Sequence, residues 1–156
     1  MGITSFLSPD AVILNLEAAT SEDVIRALGG RLLKLGCVKD DFIEATLARE
    51  ANMPTGLPLG GSINAAIPHV DIEYVNRPAL ALATLTKPVI FHNMVETDEE
   101  VPVQLVIMLA LDQPKSQIEM LQQVAGVLQQ PATIDRLMSA RTIDEIFSAL
   151  TSVEAV

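Results

Sequence analysis

The sequence predicts an α/β protein, a mixed, mostly central β-sheet sandwiched by α-helices on both faces. Three observations predict it. Short apolar runs bounded by turn residues read as strands, at Ala11-Val12-Ile13-Leu14, Pro78 to Leu85 and Val101 to Leu111. Segments with apolar residues at helical spacing stand between and after them. The composition is globular, 49% apolar and 19% charged, and its few aromatics (four Phe, one Tyr, no Trp) leave the core to aliphatic side chains. A chain of 156 residues suits a single domain, residues 1–156, long enough to bury a real core. It carries no internal repeat, linker or low-complexity segment.

Taken in order, Pro9 precedes the first strand. Thr20-Ser21-Glu22-Asp23 reads as an N-cap followed by an acidic first turn, and Val24, Ile25, Leu28, Leu32 and Leu35 continue at helical spacing to a stop at Gly36. A second helix is expected from Asp40 or Asp41 to about Ala51, with Phe42, Ile43, Ala45, Thr46 and Leu47 buried and Arg49 and Glu50 in its last turn. Met53 to Ser62 is a shaped loop, because its prolines fix and its glycines free the backbone. Ile63 to His69 is expected to be a strand ending in a histidine, and Asp71 to Asn76 a turn. Lys87-Pro88 is expected to separate the strand at Pro78–Leu85 from a second short one, Val89-Ile90-Phe91-His92. Thr97 to Glu100 reads as a solvated acidic loop, and Val101 to Leu111 as a central strand with Pro102 near its start. Three helical pieces close the chain. Capping boxes are expected at Ser116-Gln117-Ile118-Glu119 and Thr142-Ile143-Asp144-Glu145, and Pro131 opens the piece between them.

Charge removes several function classes. With 20 acidic against 10 basic residues and a net charge of −10, the chain lacks the basic footprint that nucleic acid requires and suits a basic protein partner. Cys37 is the single cysteine, so no internal disulfide or cysteine-rich zinc site forms, and a buried structural thiol is expected. The first residues lack a basic n-region and a long apolar h-region, and the run Leu105 to Leu111 is far short of the ~20 residues that span a bilayer. The expectation is a soluble, cytoplasmic protein without membrane insertion.

The usual enzyme signatures are missing: Gly60-Gly61-Ser62-Ile63-Asn64 lacks the final glycine of a nucleophile elbow, and no phosphate-binding Gly-Lys-Ser/Thr loop or dinucleotide fingerprint occurs. His69 and Asp71 together offer two ligands to a metal but no visible third, so no metal and no cofactor is expected. His69 alone on an apolar strand reads first as a structural histidine satisfied by backbone hydrogen bonds. Its context favours chemistry, since Pro68 stiffens the approach, a glycine-rich loop precedes it and Arg49 lies upstream at a helix end. A histidine nucleophile, an arginine and backbone donors are what phosphoryl transfer requires. Arg49 is open to two readings, a phosphate clamp or a solvated residue pairing with Glu50.

Ala48-Arg49-Glu50, Met53-Pro54-Thr55-Gly56-Leu57-Pro58 and Ala66-Ile67-Pro68-His69-Val70-Asp71 together resemble the enzyme IIA component of the bacterial phosphoenolpyruvate:sugar phosphotransferase system, in its fructose/mannitol-type superfamily and closest to the galactitol-like branch. The resemblance covers nearly the whole chain and implies the α/β sandwich. It implies that His69 takes a phosphoryl group from the histidine phosphocarrier protein and passes it to a cysteine of enzyme IIB, which phosphorylates sugar entering through the membrane enzyme IIC. It implies that Arg49 contacts the phosphoryl group. Mannitol-type members carry a second active-site histidine where the helix after the long strand begins, and here Gln113-Pro114-Lys115-Ser116-Gln117-Ile118 has none. Gln117 offers a hydrogen bond there and His92 a ring from another strand; both stay open. The alternative function is a regulatory module of the same fold, in which the phosphorylation state of His69 controls a partner protein.

Overall fold

The protein is described by a computed structural model over residues 2–154. In chain order it contains α1 (Ile3–Phe6), β1 (Leu7–Leu16), α2 (Ser21–Lys34), α3 (Phe42–Asn52), β2 (Gly56–Leu57), β3 (Ala65–Ala66), a 3-10 turn at Ile72–Tyr74, β4 (Ala79–His92), β5 (Glu100–Ala110), α4 (Pro114–Leu128), α5 (Pro131–Ser139) and α6 (Ile143–Glu154). The strands form one five-stranded sheet in the order β1-β4-β5-β3-β2. β1 runs parallel to β4 and β3 parallel to β5, while the β4–β5 and β2–β3 pairs are antiparallel. The sheet is therefore mixed, and β5 is central, as the sequence predicts.

Two apolar layers follow from the period-2 pattern of the long strands. On β4, Ala79, Ala81 and Ala83 pack with Val24, Leu28 and Leu32 of α2 and Phe42 of α3, while Leu80 and Leu82 point to the other face. That second face packs against α1, α4, α5 and α6 through residues such as Ile3, Val124, Leu137 and Leu150. Helices thus cover both faces. α2 and α3 meet closely at Gly29, where a Cβ would stand 2.7 Å from Cγ1 of Ile43.

Several local expectations hold for the expected reason. Thr20 Oγ1 accepts from the Asp23 amide at the start of α2, and Gly36 closes that helix in the left-handed region with φ 76°. Thr142 Oγ1 accepts from the Glu145 amide, but the return bond from Glu145 goes to the amide of Arg141 rather than to Thr142 itself. The α2 cap repeats this displacement, with Asp23 accepting from Ala19.

Three expectations need correction. Lys87-Pro88 does not end a strand: β4 runs unbroken from Ala79 to His92. The extra residues are absorbed in a bulge between Thr84 and Val89, whose exposed tip needs no amide from Pro88. Ser116 does not cap α4, because Pro114 already occupies the first helical turn and Gln113 is the N-cap. The strand expected at Ile63–His69 is only Ala65–Ala66, followed by an isolated bridge from His69 to Leu109. Pro68 has no amide to give a neighbouring strand, so regular pairing stops before it.

Candidate functional site

The segment after β3 runs along the carboxyl end of β5. The Leu109 amide donates to the Pro68 carbonyl at 3.0 Å and His69 bridges to Leu109, so the histidine is held beside the end of the parallel pair β3–β5. Crevices at strand carboxyl ends are the usual ligand positions of α/β sheets. His69 is only 8% exposed, yet it lines a cleft of about 600 Å³.

The ring orientation is set by one hydrogen bond. Nδ1 of His69 lies 2.8 Å from the Ile67 carbonyl oxygen. A carbonyl can only accept, so Nδ1 carries the proton and the lone pair of the neutral ring is on Nε2. Burial pushes the imidazole pKa below its ordinary 6.5; the Ile67 bond and Asp71 act upward, and the Arg49 charge acts downward. His69 is thus a neutral imidazole with one free nitrogen.

Arg49, in the last turn of α3, lines the same cleft. The rest of the wall is mostly apolar, with Met53 and Leu57 from the loop, Met94 beyond β4 and Leu121 from α4. Met53 is 59% exposed at this mouth and nearby Val95 80%. Arg49 does not pair with Glu50. The Glu50 carboxylate instead accepts from the Thr55 amide at 2.7 Å and from the Thr55 hydroxyl at 2.8 Å. Burial raises the Glu50 pKa, against the lowering effect of the Thr55 bonds, Arg49 and His92.

His92 is not brought to the His69 cleft. It lines a neighbouring pocket of about 420 Å³ together with Glu22, Glu50 and Asp98, and its Nδ1 is 2.8 Å from the Thr97 carbonyl. Gln117 does act on the segment: its Nε2 donates to the Val70 carbonyl at 3.0 Å, bracing the backbone next to His69. Cys37 is buried as expected, with Arg77 Nε 3.4 Å from its sulfur. Among the described residues, no group of three His, Cys, Asp or Glu side chains is placed to hold a metal ion, so His69 and Asp71 find no third ligand. Glu50 is the site residue that reading the sequence left as a partner for Arg49. The available signal was a helix-end acid five residues before the threonine of a Pro-Thr-Gly loop.

Residues 5–153 match the family model described as phosphoenolpyruvate-dependent sugar phosphotransferase system, EIIA 2. The galactitol-specific EIIA component of Escherichia coli K12 is 34% identical over 117 residues, covering 75% of this chain and 77% of that protein. The 2-O-alpha-mannosyl-D-glycerate-specific EIIABC component of the same strain is 32% identical over 155 residues, 96% of this chain and 22% of that longer protein. Among solved structures, enzyme IIA for mannitol in its complex with phosphorylated enzyme IIB from Escherichia coli superimposes with a TM-score of 0.75 at 26% identity, covering 93% of this chain and 96% of that one. The match runs from β1 to α6, and the sheet with helices on both faces agrees with it. The chain belongs to the EIIA 2 family of the sugar phosphotransferase system, whose members are phosphotransferase components carrying phosphohistidine.

Proposed function

We propose that this protein is one enzyme IIA domain over residues 1–156, with His69 as its phosphoryl carrier and Arg49 as its phosphate-binding residue. Neutral Nε2 attacks the phosphorus of a phosphohistidine on the histidine phosphocarrier protein. The donor's P–N bond breaks as the new P–N bond forms, and the donor imidazole leaves with its electron pair. Arg49 offsets the charge on the transferred oxygens. A thiolate of enzyme IIB then attacks the same phosphorus, and His69 leaves as a neutral imidazole. Nδ1 keeps its proton throughout and donates it in a hydrogen bond to the Ile67 carbonyl. The observation that carries this reading is that bond, which leaves Nε2 free on a residue that lines the cleft with Arg49.

The apolar mouth with exposed Met53 suits docking of a protein, and the net charge of −10 suits a basic one. The galactitol-specific relative supports uptake of a galactitol-like sugar, through enzyme IIB and indirectly through membrane enzyme IIC. Among the described residues no helix is long and apolar enough to cross a membrane, which agrees with a cytoplasmic carrier.

The test is intact mass after incubation with phosphoenolpyruvate, enzyme I and the phosphocarrier. Wild type should gain one acid-labile phosphoryl group and His69→Ala none, and adding a galactitol-type enzyme IIB should discharge the wild type. Equal labelling of the two proteins would sink the assignment of His69.

A further inference from the structure

A chain of hydrogen bonds leads from Glu50 to the reacting ring. The Glu50 carboxylate takes both donors of Thr55, at 2.7 and 2.8 Å. The Thr55 carbonyl accepts from the Ile67 amide at 3.2 Å, and the Ile67 carbonyl accepts from Nδ1 of His69 at 2.8 Å. The middle link extends the β2–β3 register by one pair beyond Gly56 and Ala66, and the two outer links lie outside any helix or ladder. Pro68 makes the third link matter. The peptide unit carrying the Ile67 carbonyl ends in the proline nitrogen, so it has no N–H by which it could be anchored. That carbonyl is set on one side by the Ile67 amide on Thr55 and on the other by the Pro68 carbonyl, which accepts from the Leu109 amide.

Thr55 is buried just ahead of β2, whose Gly56 pairs with Ala66. It follows a proline, and the next residue, Gly56, is pressed against the end of β4. Both oxygens of Glu50 are committed to it, one to the backbone and one to the side chain, a fork that fixes position and rotation together.

We propose that Glu50 is a positioning residue for phosphoryl transfer: by clamping Thr55 it fixes the Ile67 carbonyl, which holds the proton of His69 on Nδ1 and keeps Nε2 free. The proposal deepens the carrier reading and rests on it for its rate consequence, but its effect on the ring is measurable without any transfer. Loosening the clamp lets the ring turn and lets the proton settle on Nε2, and a ring in that tautomer has no lone pair at the attacking atom.

The test is nitrogen-15 NMR of the histidine rings in the full chain, on wild type, Glu50→Ala and Thr55→Val, with circular dichroism to establish that each is folded. Thr55→Val keeps the branched shape and the amide bond and deletes only the hydroxyl, so it serves if Glu50→Ala does not fold. In wild type, the Nδ1 signal of His69 should be that of a protonated nitrogen and the Nε2 signal that of an unprotonated one. In Glu50→Ala the two should move toward each other, with a smaller shift in Thr55→Val, while the His92 signals keep their tautomer. Acceptance from the phosphocarrier should slow by roughly 3- to 10-fold, the worth of one hydrogen bond, in kcat rather than KM. Folded variants whose His69 signals match wild type would overturn the proposal. If wild type accepts no phosphoryl group, the carrier reading fails, and the ring signals still decide the role of Glu50.

Discussion

Gly56→Ala puts one methyl group where the structure has no room for it. A Cβ at this position would lie 2.6 Å from the His92 carbonyl oxygen, 3.1 Å from its carbon and 3.3 Å from Cβ of Phe91. Reaching ordinary contact demands a separation larger by about 0.8 Å. The obstacle is backbone, so no side chain can swing aside. Neither partner is free to move: Gly56 pairs with Ala66, its carbonyl accepts from the Met94 amide at 2.9 Å, and His92 pairs with Glu100. Overpacking of this kind costs roughly 1–3 kcal/mol. In a domain of this size, each kcal/mol lowers Tm by roughly 2–4 °C, so a loss of about 2–12 °C is expected. Thermal unfolding followed by circular dichroism measures it. Because Thr55 and Leu57 flank the displaced residue and line the cleft, phosphoryl acceptance should fall at temperatures where the variant is still folded. A variant with the Tm and labelling rate of wild type would show that β2 is not held against β4 as described.

Two further outcomes are expected. The native His69 pKa lies below 6.5, so between the two values the unfolded chain binds more protons and stability rises with pH. The stabilisation from burying the neutral ring is fully present above about 6.5 and is lost as pH falls through the lower native value. An NMR titration should place the His69 midpoint below 6.5, and one at or above 6.5 would contradict its burial beside Arg49. Arg49→Ala removes the cation of the cleft and should slow acceptance by roughly 10²–10³-fold, the effect of losing one donor to a transition-state oxygen. Its unfolding midpoint should stay near that of wild type, and a labelling rate within threefold would return Arg49 to a merely solvated role.

Local pattern was enough to read the layers. Alanine and leucine alternate along Ala79–Ala83, and Val24, Leu28 and Leu32 recur at helical spacing, so the buried face of each element is written in consecutive residues. The same holds for the caps at Thr20 and Thr142, whose partners lie three residues away. His69 stood out because Pro68 stiffens the approach to it and a Pro/Gly loop precedes it, both local facts.

What only the tertiary structure decided involves partners far apart in the chain. Lys87-Pro88 reads as a break until β5 is seen to carry β4 across it as a bulge. Nothing local says whether His92 or Gln117 approaches His69. Gln117 reaches the Val70 carbonyl, 47 residues away, while His92 turns to Thr97 and faces another pocket. The tautomer of His69 likewise depends on the Ile67 carbonyl, and that carbonyl on Thr55 and Glu50 across the loop. Periodicity records which side of an element is buried, because burial repeats with the backbone. It carries no record of which two polar atoms meet, because strand order and loop path set that distance.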